Sequence, residues 1–437
     1  MSVFEKLSDA SVWGDYLAYK INGRHLTRSE ESDLRKYIDN REYLPVLETV
    51  VNGERLPIPE KKLIRKMRTD KKRTVYIYPR AFNYVLKLMT FLLLREYDGC
   101  FSDTLYSFRV KTGVNKAMRN IMSVPGLADK YTYKVDISNY FNSIPVERML
   151  KKLKELTADN DREIFELLQR LLISDEVLDG DRLVHESKGV MAGTPFAVFL
   201  ANVYLRDMDN TLAGDGKATG SADENDGVKG ADNRLPDVIY ARYSDDIIVI
   251  ADTAGARDEA AGLVRRILAE NGLTVNPSKE QYSSPGEPWS FLGIGYENGT
   301  IDISDVSKDK LKSKMRRKAR AIKRWQVRKG ASREQAVKAY IRAMNRKFFD
   351  PDSSHELTWS RWYFPVINTD RTLHELDAYM QHWIRYLATD GHKKSSYKYK
   401  YEDMKKLGYI SLVHEYWQQQ TFSKAGLFSQ KASDIRP

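Results

Sequence analysis

Residues 240–250 read YARYSDDIIVI. Two runs that suit buried β-strands flank Asp245 and Asp246, which puts two adjacent carboxylates at the tip of a predicted hairpin. Such carboxylates repel each other, and a fold gains nothing from them unless something positive sits beside them. A lone Asp-Asp pair is ordinarily a polar turn whose side chains cap backbone amides. The surroundings argue against that reading. YTYKVDI, 131–137, alternates as a strand does and ends on Asp136, with Tyr140 and Phe141 close behind. Gly193-Thr194-Pro195 opens the mostly apolar helix expected over FAVFLANVYLRDMD, 196–209.

The order is strand (131–137), helix from Pro145 through Leu156, helix (196–209), hairpin (237–250) and helix (256–271) closed by Gly272. It suits a split β-α-β sheet of ferredoxin-like type. Antiparallel strands then bring the end of the first strand beside the hairpin tip, and Asp136 faces Asp245. Three carboxylates with no histidine nearby form an oxygen-only donor set, which favours Mg²⁺ over zinc. Two such ions stabilise the attacking and leaving oxygens of an in-line phosphoryl displacement, which is polymerase chemistry.

The whole-chain totals fit that picture. With 437 residues, 42% of them hydrophobic, the chain can fill the cores of several structural units. Its one cysteine, Cys100, excludes a disulfide framework or a Cys-rich zinc site, and the seven histidines are scattered. The N-terminus has acids where a signal peptide needs an apolar core. The longest apolar run, Ala81 to Leu94, is too short to span a membrane and contains Lys87. These features predict a cytoplasmic protein with no membrane association. The net charge of +11 is uneven: Lys308 to Lys329 holds twelve Lys and Arg against one Asp. That is the electrostatic footprint of a polyanion partner. Leu311, Met315, Ala319, Ile322 and Trp325 form a helical apolar stripe beneath those charges, so the segment reads as a packed helix with a basic surface.

Elsewhere, residues 1–50 read as mixed helices, 54–80 as a base-dense segment running into a strand at 74–78, and 81–99 as a buried helix. AGDGKATGSADENDGVKGADN, 213–233, lacks the apolar surface to order itself and reads as a flexible insertion. Short strands are expected around 289–295 and 299–303, and helices after Ser304. HKKSSYKYKYEDMKKLGY, 392–409, interleaves lysines with Tyr397, Tyr399 and Tyr401, a pattern that can stack on bases while holding phosphates.

From about Lys71 to Gly293 the chain resembles the reverse transcriptases, specifically the bacterial branch that includes group II intron and retron enzymes. YKVDISNYFNSI (133–144) is similar to the first palm motif, KGVMAGTPFAVFLANVYL (188–205) to the second, YSDD to the metal-binding turn, and GLTVNPSKE (272–280) to the motif that follows. Phe291-Leu292-Gly293 resembles the primer grip. Lys72-Arg73 and YSFRVKTG (106–113) resemble the finger segments that hold triphosphate and template.

The resemblance implies an α+β right-hand polymerase fold, with an N-terminal region and fingers over 1–130, a ferredoxin-like palm over 131–295, and a helical thumb and C-terminal region over 296–437. It implies that Asp136, Asp245, Asp246 and the Ile137 backbone carbonyl bind two Mg²⁺ ions, with Mn²⁺ as a substitute. Lys279 would protonate pyrophosphate, and Phe141 would select deoxynucleotides against the sugar 2′ position. Arg73, Arg109, Ile137, Tyr140, Gly193, Thr194 and Pro195 would line the nucleotide site. Phe291, Leu292, Gly293, Lys314, Arg317, Lys318 and Arg324 would hold nucleic acid. The implied partners are an RNA template, expected to be a structured non-coding RNA, the DNA product and dNTPs.

Two departures stand out: Met191-Ala192 replaces the usual Pro-Gln, and the 213–233 insertion precedes the catalytic hairpin. No RNase H, Cys/His finger or His-Asn-His segment is visible, so the chain resembles the unknown-group, or defence-associated, enzymes that protect against phage. Template-independent or protein-primed synthesis and an RNA-binding maturase stay open as alternatives.

Overall fold

The computed structural model describes residues 1–23, 26–65, 72–110, 112–157, 161–214, 238–349, 359–389 and 399–421. The predicted insertion, from residue 215 onward, and Tyr397 lie outside the described residues, as does the segment 66–71. The chain divides into two compact units, Met1–Glu287 and Pro288–Pro437.

The first unit opens with helices α1 (Val3–Lys6), α2 (Ala10–Asn22), α3 (Arg28–Asp39) and α4 (Tyr43–Val51). Trp13 stacks on Tyr43 with ring centroids 4.9 Å apart, and Tyr37 donates to the carbonyl of Ala81, so these helices close over α5 (Arg80–Glu96). In α5 the buried Phe82, Val85, Leu86, Met89 and Leu93 recur at helical spacing, and the expected buried helix is present.

A four-stranded sheet of order β2-β1-β4-β5 follows, built from β1 (Glu60–Arg65), β2 (Lys72–Ile77), β4 (Glu176–Asp179) and β5 (Arg182–His185). The strands β1 and β2 form an antiparallel hairpin from Glu60↔Ile77 to Arg65↔Lys72. The remaining helices of this part of the chain are α6 (Val114–Met122), α7 (Tyr140–Ser143), α8 (Val146–Thr157), α9 (Arg162–Ile173), α10 (Ala197–Tyr204) and α11 (Arg206–Ala213). The single helix expected over 196–209 is therefore two helices, broken at Leu205.

The second sheet carries the acids. Strands β3 (Tyr131–Asp136), β6 (Val238–Tyr243), β7 (Asp246–Ala251) and β8 (Gln281–Ser283) pair in the order β6-β7-β3-β8, all antiparallel. In chain order of these strands that is 2-3-1-4, the ferredoxin-like arrangement, with α12 (Ala254–Glu270) crossing between β7 and β8. Ile247 to Ala251 are all buried because β7 is central and covered on both sides. On β3, Tyr133 and Val135 enter the core, while Thr132, Lys134 and Asp136 share the opposite face. The Thr253 side chain caps the start of α12, and Gly272 at φ +70° ends it, where a Cβ would lie 3.0 Å from Pro145.

The second unit contains a three-stranded sheet of β9 (Trp289–Phe291), β10 (Ile294–Glu297) and β11 (Thr300–Ile303), where two strands were expected. Its helices are α13 (Asp305–Lys329), α14 (Arg333–Phe348), α15 (Trp359–Tyr363), α16 (Arg371–Thr389) and α17 (Tyr401–Lys406). Ser304 caps α13, Gly330 at φ +63° closes it, and Leu311, Met315, Ala319 and Ile322 form its buried stripe. Both units mix helix and sheet, so the chain is α+β.

Candidate active site

The acidic turn is short and strained. Strands β6 and β7 pair through Tyr243↔Asp246, leaving only Ser244 and Asp245 as the loop. Ser244 has φ +60°, at the loop position where two-residue hairpins prefer glycine. Holding a serine there costs on the order of 1–2 kcal/mol, so the surroundings must enforce it. Beneath it, the fully buried Arg242 donates from Nη1 to the Ser244 carbonyl at 3.1 Å. From Nε and Nη2 it donates to Asp209 at 2.7 and 2.5 Å. The Tyr240 hydroxyl donates to Asp209 as well, at 2.7 Å.

Above the turn, Asp136 lies opposite Asp246, and the Ile137 amide donates to the Asp245 carbonyl at 3.0 Å. The strand partner of Asp136 is therefore Asp246, one residue on from the expected Asp245. The three side chains still converge: one carboxylate oxygen from each of Asp136, Asp245 and Asp246 lies within 4.8 Å of the others. Burial, and then its like-charged neighbours, push the Asp246 carboxyl up to about 6. Asp245 is raised too, first by burial and then by Asp136. Crowded, half-buried carboxylates that resist ionisation are what an oxygen-preferring cation would relieve, and the donor set fits a divalent ion. The Ile137 carbonyl is adjacent, and the bridge between Ile137 and Val275 uses the Asp136 carbonyl and the Ser138 amide instead.

Two groups already answer that charge. Lys279 donates to Asp136 Oδ1 at 2.6 Å, and Asn276 Nδ2 to Oδ2 at 3.4 Å. Both come from the tight 276–279 turn, where the Asn276 side chain accepts from the Ser278 amide. Lys134, on the same face of β3, acts on Asp136 and Asp246 electrostatically. Asn276 and Lys134 were both in quoted motifs but carried no separable signal in the sequence.

The loop carrying Gly193, Thr194 and Pro195 packs tightly onto this site. The Val190 amide donates to the Phe141 carbonyl and the Ala192 amide to Asn142 Oδ1, both at 2.9 Å. A Cβ on Gly189 would fall 2.6 Å from the Phe141 carbonyl oxygen, and one on Gly193 2.8 Å from Val75 Cβ. On the other side the Tyr76 amide donates to the Ala192 carbonyl at 2.8 Å, and Asn142 Nδ2 to the Thr74 carbonyl at 3.4 Å. Backbone groups of Ala192 thus make the links, whatever its side chain lacks. Gly193 is exposed, Thr194 is buried with its hydroxyl on the Met191 carbonyl, and Pro195 is half-buried. Phe141 is half-buried and Arg73, on β2, is exposed within electrostatic reach of Asp245.

Two expected nucleotide contacts are not brought to the site. Tyr140 is 1% exposed and donates to the Ala201 carbonyl at 2.6 Å, so it is a core residue behind the acids. The Arg109 side chain is 6% exposed; it pairs with Asp98 at 2.8 Å and donates to the carbonyls of Asp98, Ser102 and Leu105. Its guanidinium is committed to shaping the 98–109 loop and has no donor direction left for a triphosphate.

The second unit holds the remaining residues. Phe291 is buried; Leu292 and Gly293, at φ +49° and +87°, form the two-residue turn between β9 and β10. On α13, Lys314, Arg317, Lys318 and Arg324 are exposed, with Arg317 and Arg324 opposite the buried stripe and Lys314 and Lys318 on its flank. A groove of about 480 Å³ between α13 and α14 is lined by Lys314 and Lys318 with Arg342, Arg346 and Lys347, so α14 extends the basic surface. Within 392–409, Tyr399 and Tyr401 are described; Tyr401 packs on Tyr409 and carries Lys405 over its ring. Among the described residues no helix is long and apolar enough to cross a membrane.

The chain is similar to known proteins over the region that builds this site. The family described as "Reverse transcriptase (RNA-dependent DNA polymerase)" matches residues 59–296. Protein YkfC of Escherichia coli K12 is 21% identical over 263 residues, covering 56% of this chain and 68% of that one. Among solved structures, a telomerase of Candida albicans in complex with a TWJ fragment of telomeric RNA aligns with a TM-score of 0.44 at 13% identity, covering 82% of this chain and 64% of that one. An apo telomerase of Candida tropicalis aligns at 0.44 and 11%, covering 85% and 64%. The chain thus spans under two thirds of the length of those solved chains. With a match that takes in more than half of its 437 residues, the three converging aspartates among them, the chain belongs to the reverse transcriptase family.

Proposed function

We propose that the protein is an RNA-directed DNA polymerase that extends DNA on an RNA template by phosphoryl transfer. The carrying observation is the convergence of Asp136, Asp245 and Asp246 within 4.8 Å, on neighbouring strands of a ferredoxin-like sheet, in a chain of this family. In this reading the three carboxylates and the Ile137 carbonyl hold two Mg²⁺ ions, with Mn²⁺ able to substitute. When bound, the ions supply charge stabilisation for the attacking and leaving oxygens. Lys279, 2.6 Å from Asp136, is placed to exchange that carboxylate for the departing pyrophosphate and to give it a proton. Phe141, half-buried beside the Gly189–Ala192 loop, presents its ring to the sugar. Arg73 reaches the triphosphate. The Leu292-Gly293 turn and the basic face of α13, extended by Arg342 and Arg346, hold the phosphate backbone without reading sequence. Residues 1–130, 131–295 and 296–437 then act as fingers, palm and thumb.

Purified protein given a primed RNA template, Mg²⁺ and labelled dNTPs is expected to yield alkali-resistant product. Asp245→Ala with Asp246→Ala abolishes it, and synthesis that survives the double change would sink the reading. Ala192 favours a second reading, since its methyl leaves no side-chain amide at the pocket: synthesis that starts without a template, or product covalently bound to protein, would support it. The biological setting we infer from the sequence resemblance is antiviral defence in the cytoplasm with a structured non-coding RNA as partner. Phage challenge of cells carrying the double variant tests it.

A further inference from the structure

The acidic turn rests on a buried ion pair that the polymerase chemistry does not itself require. Arg242 and Asp209 are both 0% exposed in their side chains, with Nη2 and Oδ2 2.5 Å apart. Burying two charges is costly, and an apolar pair of similar volume often serves stability as well or better. What an apolar pair cannot do is donate a hydrogen bond. The Arg242 guanidinium grips Asp209 with Nε and Nη2, and this fixes its plane so that Nη1 points at the Ser244 carbonyl. Ser244 is the residue at φ +60° immediately before Asp245. The backbone of Arg242 is clamped in turn: its amide donates to the Thr104 carbonyl at 3.0 Å, and its carbonyl accepts from the Tyr106 amide at 2.9 Å. Asp209 sits on α11, so the pair ties that helix to the turn.

We propose that Arg242 is a positioning residue that, oriented by Asp209, holds the Ser244–Asp245 peptide where both aspartates of the turn can share their cations. The inference rests on the polymerase reading above. It separates two properties of one side chain: the charge that satisfies Asp209, and the planar fork that also reaches Ser244. Lysine supplies the first and not the second. Loosening the group behind metal-binding residues typically costs 10- to 100-fold in metal affinity or activity. The burden here falls on the step the ions assist, with little effect on the nucleotide's own contacts.

The test uses the full-length protein with two variants, Arg242→Lys and the paired apolar replacement Arg242→Met with Asp209→Leu. Steady-state extension of oligo(dT) on poly(rA) is measured against Mg²⁺ and dTTP, alongside Mn²⁺ binding by electron paramagnetic resonance and thermal melting. The expected result for the paired replacement is a folded protein that melts a few degrees lower, since the buried Tyr240 hydroxyl loses its acceptor, with kcat of the folded protein down about ten-fold or more, half-saturating Mg²⁺ and the Mn²⁺ dissociation constant up several-fold, and KM for dTTP within two-fold. Arg242→Lys shows the same pattern despite keeping the charge. A merely structural role would lower the melting temperature and the active fraction while leaving Mg²⁺ half-saturation alone. Wild-type kcat and Mg²⁺ dependence in either folded variant overturns the inference. If instead the wild type binds no Mn²⁺ and the Asp245→Ala, Asp246→Ala protein is as active as wild type, the polymerase reading is what fails.

Discussion

Replacing Asp246 by asparagine should make the metal-free protein more stable while destroying its activity. The side chain keeps its size and loses its charge. In the fold the Asp246 carboxyl titrates at about 6 against an ordinary 3.8, because burial, Asp245 and Asp136 all oppose ionisation. A raised folded value means that the fold favours the neutral form. Stability is therefore full below pH 3.8, falls as pH rises from 3.8 to about 6, and is flat above. At 1.36 kcal/mol per pH unit the ionised side chain costs the fold about 3 kcal/mol at pH 8 and, by the same linkage, about 1 kcal/mol at pH 4.5. For a unit of this size that is roughly 4–6 °C at pH 8. The assay is thermal melting in EDTA at the two pH values, repeated at pH 8 with 10 mM Mg²⁺. The asparagine variant should melt higher in EDTA, by more at pH 8 than at pH 4.5. The order should narrow or reverse with Mg²⁺, which binds the folded wild type better. A variant that melts at or below wild type in EDTA at pH 8, or a difference independent of pH, would refute the claim that the site stores electrostatic strain.

Arg109→Ala should lower the melting temperature by several degrees, because it removes the buried cation that pairs with Asp98 and one donor from each of three loop carbonyls. The KM for dNTP of the folded fraction should stay within two-fold, and a large KM rise with unchanged melting would restore it to the nucleotide site. Gly189→Ala should cost on the order of 2–4 kcal/mol, since its Cβ would meet the Phe141 and Asn142 backbone at 2.6–2.7 Å at φ +54°; a neutral effect in denaturant melts would contradict the tight packing. Changing Lys314, Arg317 and Arg324 together to alanine should weaken RNA–DNA binding uniformly across sequences and reduce the slope of log affinity against log salt by about two to three. An unchanged slope in fluorescence anisotropy titrations would remove α13 from the interface.

What could be read from the sequence depended on whether pattern or tertiary pairing carried the information. The ferredoxin-like order and the meeting of Asp136 with the hairpin acids were legible, because β3, β6 and β7 alternate or run apolar and the helices between them have clear ends. The register was legible only to within one residue, since two acids in succession leave the choice to the turn geometry at Ser244. Strand β1 escaped notice because Glu60-Lys61-Lys62 reads as a charge run. The β4–β5 hairpin escaped too, although Asp179-Gly180-Asp181, with Gly180 at φ +64°, is a turn signal. Tyr140 and Arg109 lie away from the expected nucleotide site for one reason: whether a side chain points at solvent or into the core depends on neighbours far along the chain. Arg242 and Asp209 were invisible in the same way, as an arginine in a strand and an aspartate in a helix show no partnership until the fold joins them.

Strand β2 pairs with β1 along its whole length and is fastened a second time over its far half. Its far half is held from two places: by the 188–193 loop, through the Tyr76 amide on the Ala192 carbonyl and Gly193 lying against Val75, and by α7, through the Asn142 side-chain amide on the Thr74 carbonyl. The exposed Arg73 therefore stands one residue before the fastened stretch, and its place relative to the 188–193 loop is set by the strand that carries it.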